Sequence, residues 1–137
     1  MLKLTKIKKI SMEIQKKVFV LTLPASGHVN PVSGIITELV KKNVHVIMYS
    51  NEEYKSLIER TGAEYRQYNF KIGFDNLFEC DYQKTKNTFF ELYSKLVKIS
   101  NNLVADLVKE VEKEKPDILI YDTGSVFGFY LMKIIEK

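Results

Sequence analysis

Four short strand-like segments alternate with helical patterns along this chain of 137 residues, and this alternation constrains the fold more than any other feature. The segments cover residues 18–23, 44–49, 63–68 and 117–122. The first is almost continuously apolar, which is typical of a parallel strand buried on both faces. Strands that alternate with helices form a parallel sheet through right-handed crossovers. We therefore predict an α/β fold, a doubly wound Rossmann-like parallel sheet with strand order 3-2-1-4.

Helix signals follow each predicted strand. Asn30 is a favoured N-cap and Pro31 suits a first helical position, so the first helix is predicted to begin there. A long helix is predicted over residues 88–114, with a kink or a division at Asn101-Asn102, and a last helix from Ser125 onward. Residues 69–83 fit neither period and are predicted to form a surface loop. The apolar positions predicted to face the core are Val32, Ile35, Ile36, Leu39 and Val40 on the first helix.

The basic charge of the chain is concentrated at its start. Residues 1–17 carry a net charge of +5, whereas the chain as a whole carries +4. The remaining residues are therefore nearly neutral and carry no basic stripe interleaved with aromatic side chains, which argues against nucleic-acid binding. We interpret residues 1–17 as a basic flexible leader, or as the product of a start codon assigned upstream of Met12, and residues 18–137 as one domain.

The leader lacks the apolar stretch of a secretory signal, and no run approaches the roughly 18 apolar residues of a membrane span. The single cysteine, Cys80, cannot form an internal disulfide, and we interpret it as an inert thiol. These features predict a cytoplasmic protein without a membrane span or a metal cluster.

Two residues with acid–base side chains are predicted to meet across the sheet edge. His28 follows the first strand and Asp122 ends the fourth, and the predicted strand order places these strands side by side. The carboxyl ends of parallel strands form the edge at which α/β proteins bind ligands. A neutral imidazole can accept a proton from a hydroxyl near pH 7, and a carboxylate on its other nitrogen fixes the tautomer. The sequence thus predicts a general base at His28 that Asp122 orients.

Each of these residues also has a simpler interpretation. His28 can be a loop residue that bonds locally, and Asp122 can hold the turn in Asp-Thr-Gly-Ser. Gly27 fits a close backbone approach to a ligand, but a plain turn explains it nearly as well. His45 lies within a predicted strand and is interpreted as a packing or solvent-facing residue. No dinucleotide-binding or P-loop motif is present in the sequence.

Aromatic residues beside the predicted loop are candidates for an apolar pocket. Phe74, Phe78 and Phe90 are predicted to line it and to bind a small apolar molecule. Phe89 and Tyr93 are instead predicted to pack in the core beneath the long helix.

Several of these segments together resemble the start of family-1 glycosyltransferases of the macrolide and flavonoid type, which have the two-domain GT-B architecture. The matching residues are Gly27-His28-Val29-Asn30-Pro31, Thr61-Gly62-Ala63-Glu64-Tyr65 and Pro116-Asp117-Ile118-Leu119-Ile120-Tyr121-Asp122. The resemblance implies inverting transfer of a sugar from a UDP-sugar to a hydroxyl of a small acceptor. It implies that His28 is the base and Asp122 its partner, and that Ser26 and Gly27 lie near the donor phosphates. It implies no metal and no cofactor beyond the donor itself.

The resemblance also predicts that this chain acts with a further domain. The donor-binding second domain of the family has no counterpart here, so the chain is interpreted as a fragment, a truncated product or half of a split enzyme, inactive when isolated. The alternative is a catalytically silent module that binds a small molecule in the same fold. A flavodoxin-like regulator is disfavoured, because Pro24-Ala25-Ser26 stands where an acidic pair is needed.

Overall fold

The computed structural model describes residues 15–69 and 88–136. Its strands and helices alternate as predicted, with a short 3₁₀ turn at Glu52–Tyr54 before the second helix. The elements are β1 (Lys17–Leu21), α1 (Ser26–Lys41), β2 (His45–Ser50), α2 (Lys55–Arg60), β3 (Glu64–Gln67), α3 (Thr88–Glu114), β4 (Ile118–Tyr121) and α4 (Val126–Ile135).

The four strands form one parallel sheet in the order β3-β2-β1-β4, which confirms the predicted fold class and strand order. The central strand β1 pairs with β2 on one side and with β4 on the other. Leu21, its last residue, lies beside Tyr49 and Tyr121 in the register. The chain leaves β1 and β4 at the same edge of the sheet, so the residues that follow these two strands become neighbours.

Alternate residues of β1 serve two separate cores. Phe19 and Leu21 face the layer formed by α3 and α4, whereas Val18 and Val20 face the layer formed by α1 and α2. All four are buried. A strand covered on both faces has no solvent-facing position, which explains its continuous apolar sequence.

Helix α1 begins at Ser26, so the predicted start at Asn30 and Pro31 is wrong. The carbonyl of Ala25 accepts hydrogen bonds from the N–H groups of His28 and Val29, both at 2.9 Å, and these bonds begin the helix before the proline. Pro31 lies inside the helix, where it has no N–H to donate to the carbonyl of Gly27. Gly27 is exposed, so water can bind that carbonyl. His28 consequently lies in the first helical turn rather than in a preceding loop.

The residues of α1 that reach the core differ in part from those predicted. Val29 is fully buried together with Ile36, whereas the predicted core residue Ile35 is exposed. Val32, Leu39 and Val40 are partly buried against the same core, as predicted. Val29 and Ile36 are seven positions apart, which is two turns of a helix.

Helix α3 is continuous from Thr88 to Glu114, so the predicted division into two helices at Asn101-Asn102 does not occur. Its central apolar residues Leu96, Leu103 and Leu107 are buried. The prediction that Phe89 and Tyr93 pack in the core is wrong: their exposed fractions are 80% and 49%. The two rings instead stack on each other with centroids 6.4 Å apart.

Some predictions concern residues outside the described ranges. These include most of the basic leader (residues 1–14), the predicted loop with Phe74 and Phe78, and Cys80. Within residues 15–69 and 88–136, no helix is both long and apolar enough to cross a membrane.

Candidate active site

The predicted meeting of His28 and Asp122 is present in the structure. The Nδ1 atom of His28 lies 2.8 Å from Oδ2 of Asp122, although 94 positions separate the two residues in the chain. His28 is presented by the first turn of α1, and Asp122 directly follows β4. Because β1 and β4 are adjacent, the crossovers bring these two turns together at the carboxyl edge of the sheet.

The second oxygen of Asp122 is bound within its own turn. Its Oδ1 accepts a hydrogen bond from the N–H of Ser125 at 2.8 Å and lies 2.9 Å from the Ser125 hydroxyl. The simpler interpretation of Asp122 as a turn residue is therefore also correct, and the two roles use different oxygens. A carboxylate has room for both because it can accept several hydrogen bonds.

The imidazole of His28 is enclosed on one side and open on the other. A Cβ atom placed on Gly124 would lie 2.8 Å from Cε1 of His28 and would also clash with Cδ1 of Leu23, so the glycine backbone closely approaches the ring. The His28 side chain is 34% exposed and that of Asp122 is 19% exposed. The backbone at Gly124 thus limits the position of the imidazole, and the His28 side chain remains partly exposed to solvent.

With Nδ1 held by Asp122, Nε2 is the imidazole nitrogen available to a substrate. A carboxylate can accept a hydrogen bond only from the Nδ1–H tautomer, which leaves a lone pair on Nε2. This arrangement can accept a proton from a hydroxyl group and then stabilise the imidazolium that forms. The geometry of the pair is therefore compatible with general-base chemistry at Nε2.

Ser26 and Gly27 form the exposed start of α1, directly before His28. The first N–H groups of a helix have no acceptor within it, and its N-terminus carries a partial positive charge. The first turn contains no acidic residue. A Cβ on Gly27 would meet nothing within 4 Å, and its φ lies outside the positive range, so packing and backbone conformation do not explain this glycine.

Tyr68 is hydrogen-bonded to the loop that follows β1. It is buried, and its hydroxyl donates to the carbonyl of Thr22 at 2.9 Å. Its ring packs edge-on against Phe127 of α4, with centroids 5.3 Å apart. Burial raises the pKa of Tyr68 well above its usual range, and the nearby negative charge of Asp122 adds to this effect. The hydroxyl therefore stays protonated and remains a donor.

Two further residues singled out in the sequence are Phe90 and His45. Phe90 lies near the start of α3 and is 70% exposed. His45 begins β2 and pairs with Glu64, with Nε2 2.9 Å from Oε2, well away from His28. Among the described residues, no group of three or more His, Cys, Asp or Glu side chains is placed to hold a metal ion.

Sequence reasoning missed the parts played by Ser125, Gly124 and Tyr68. Asp-Thr-Gly-Ser was interpreted as turn chemistry, but the contacts of its serine and glycine depend on strand β1 and on His28, which are distant in sequence. Tyr68 ends an unremarkable strand pattern, and its contact with the loop after β1 has no local signal.

A parallel sheet with a histidine–carboxylate pair at its switch point places this chain in the class of Rossmann-like domains that bind ligands at the carboxyl edge. The structure of CalG4, the calicheamicin glycosyltransferase, matches the fold with a TM-score of 0.74 at 18% identity, over 90% of this chain and 31% of that one. No protein-family model matches the sequence.

Curated relatives show the same likeness in sequence. The chain is 26% identical over 113 residues to the NDP-glycosyltransferase YjiC of Bacillus licheniformis, covering 82% of this chain and 28% of that protein. It is 28% identical over 119 residues to YojK of Bacillus subtilis, an uncharacterized UDP-glucosyltransferase, covering 87% of this chain and 29% of that protein. The resemblance to family-1 glycosyltransferases is thereby confirmed. This chain spans less than a third of the length of each of these three proteins.

Proposed function

We propose that this chain is the acceptor-activating part of an inverting glycosyltransferase that transfers a sugar from a UDP-sugar to a hydroxyl of a small apolar acceptor. The observation that carries the proposal is the 2.8 Å contact between His28 and Asp122, with the histidine open to solvent. The relatives are named NDP- and UDP-dependent enzymes, which supports a nucleotide-sugar donor.

The proposed step is a single displacement. Nε2 of His28 takes the proton of the acceptor hydroxyl as its oxygen attacks the anomeric carbon of the sugar. The bond from that carbon to the diphosphate oxygen breaks, and UDP leaves with the electron pair. Attack from the face opposite the leaving group inverts the anomeric configuration. Asp122 stabilises the positive charge that develops on His28.

The exposed first turn of α1 is the proposed contact for the donor phosphates. Helix N-termini bind anions through unpaired N–H groups and the helix dipole. Ser26 and Gly27 would supply this contact. Phe74, Phe78 and Phe90 are proposed to contact the acceptor, and most donor contacts are proposed to come from a separate or additional domain, without a metal ion.

The two histidines of the chain provide a matched test. Each has a carboxylate partner at hydrogen-bond distance, but only His28 lies at the proposed site. The chain would replace its matching segment in Bacillus licheniformis YjiC, and glucose transfer from UDP-glucose to a phenolic acceptor would be measured. His28→Ala should reduce turnover by about 10²- to 10⁴-fold, whereas His45→Ala should leave it nearly unchanged.

Two results would argue against this proposal. Equal turnover by the chimaera and its His28→Ala variant would show that His28 is not the base. Acceptor binding to the chain without transfer in the chimaera would favour the alternative, a silent binding module.

A further inference from the structure

Ser125 joins the two strand ends that form the site. It is 1% exposed, and its hydroxyl lies 3.1 Å from the carbonyl oxygen of Leu21 at the end of β1. The same hydroxyl lies 2.9 Å from Oδ1 of Asp122, directly after β4. Asp122 is also tied to β1 through its own N–H, which donates to the carbonyl of Leu21 at 3.3 Å.

These contacts restrict the rotation of the Asp122 carboxylate. Two donors of Ser125, its N–H and its hydroxyl, can reach Oδ1, so that oxygen stays on the side of α4. The other oxygen, Oδ2, is then directed at Nδ1 of His28. Hydrogen bonds to a charged carboxylate are stronger than those between neutral groups, so the hydroxyl contributes to this orientation whenever it donates to Asp122.

We propose that Ser125 is a positioning residue, which holds the Asp122 carboxylate in the orientation that keeps His28 in its Nδ1–H tautomer. The catalytic consequence rests on the proposed function, but the effect on the tautomer does not. The side-chain contact of Ser125 at this site is with Asp122, so its proposed effect on His28 is exerted through that carboxylate.

Ser100 is a suitable control for this role. Like Ser125, it is fully buried, and its hydroxyl donates to a backbone carbonyl, that of Leu96, at 2.7 Å. The hydrogen bond of Ser100 lies within α3 and involves neither His28 nor Asp122. Removal of either hydroxyl costs the protein a buried hydrogen bond. A change in the tautomer ratio of His28 that occurs in Ser125→Ala but not in Ser100→Ala therefore reports on the His28–Asp122 pair rather than on general stability.

The test is the ring ¹⁵N NMR spectrum of His28 in the isolated chain, which distinguishes the two neutral tautomers. The native chain and Ser100→Ala should show mainly Nδ1–H, whereas Ser125→Ala should show a several-fold increase in Nε2–H. Ser125→Cys, which retains the size and a weak donor, should lie between them. An unchanged tautomer ratio in a folded Ser125→Ala variant would overturn the proposal.

Turnover in the YjiC chimaera separates this inference from the proposed function. Ser125→Ala should lower kcat several-fold with little change in the KM of the acceptor. If the native chimaera transfers no sugar, the proposed function fails, and the tautomer ratio still decides the role of Ser125.

Discussion

Gly124 lies so close to His28 that a Cβ atom at this position would come within 2.8 Å of the imidazole. The glycine belongs to the same turn as Asp122, which binds the ring through Nδ1. One turn therefore both binds the histidine and limits where its ring can lie.

Gly124→Ala should displace the imidazole from Asp122. The added methyl would also press on Leu23, and overpacking of this kind costs about 1–3 kcal/mol of stability. We expect kcat in the chimaera to fall about tenfold or more, since a small misplacement of a catalytic group is costly. Gly34→Ala is the control, because its Cβ meets nothing within 4 Å and alanine favours the helix. A similar fall in kcat in Gly124→Ala and Gly34→Ala would contradict this account.

Gly27→Ala tests the proposed donor contact. A Cβ here meets no atom of the protein within 4 Å, so the substitution should not lower the melting temperature. If the donor phosphates approach this backbone, the methyl will raise the KM for UDP-glucose several-fold and leave the acceptor KM nearly constant. An unchanged donor KM would remove Gly27 from the proposed donor site.

Thr22→Val should stabilise the fold. The Thr22 hydroxyl is buried and has no hydrogen-bond partner among the described residues. Valine has the same shape without the polar atom, so the free energy of unfolding of the Thr22→Val variant should be about 1 kcal/mol higher than that of the native chain. Urea unfolding of the isolated chain measures this difference. Ser100→Ala should destabilise the protein instead, because that hydroxyl is hydrogen-bonded. A loss of stability in Thr22→Val would show that its hydroxyl has a partner.

Glu114 should make the stability of the chain sensitive to acid. Hydrogen bonds from Lys17 and Arg66 lower the pKa of Glu114 from 4.5 to about 2. The unfolded chain therefore binds a proton at higher pH than the folded one, and stability is lost as the pH falls from 4.5 to 2. Solvent screening limits this contribution to about 1 kcal/mol.

Glu114→Gln should therefore lower the free energy of unfolding at pH 7 and flatten its decline between pH 4.5 and 2. Urea unfolding at several pH values measures both effects. Glu112→Gln, at an exposed position on the same helix, should leave the pH profile unchanged. If the free energy of unfolding of Glu114→Gln fell between pH 4.5 and 2 as steeply as that of the native chain, Glu114 would not be the source of the acid sensitivity.

The arrangement of the sheet could be predicted from the sequence. The continuous apolar run of β1 indicates a strand that is buried on both faces, and the alternation of strands with helices indicates a parallel sheet. The meeting of His28 and Asp122 followed from strand order alone. It needed no knowledge of side-chain packing, since Asp122 directly follows β4 and His28 lies in the first turn of the helix that follows the adjacent strand β1.

Details that depend on contacts between distant residues could not be predicted in this way. Asn30 and Pro31 carry strong helix-start signals, yet the Ala25 carbonyl begins α1 earlier. The apolar period of α3 does not show how far along the helix its apolar side chains have a packing partner, so the prediction for Phe89 was wrong. The role of Ser125 depends on the carbonyl of Leu21, which is 104 positions away.

The central claim is that Asp122 makes His28 an effective base, and one comparison of turnover tests it most directly. Asp122→Asn and Glu64→Gln each replace the carboxylate partner of a histidine with an amide, at the proposed site and away from it respectively. In the chimaera with UDP-glucose, Asp122→Asn should lower kcat by about 10²-fold or more, and Glu64→Gln should change it less than twofold. Turnover by Asp122→Asn equal to that of Glu64→Gln would contradict the account.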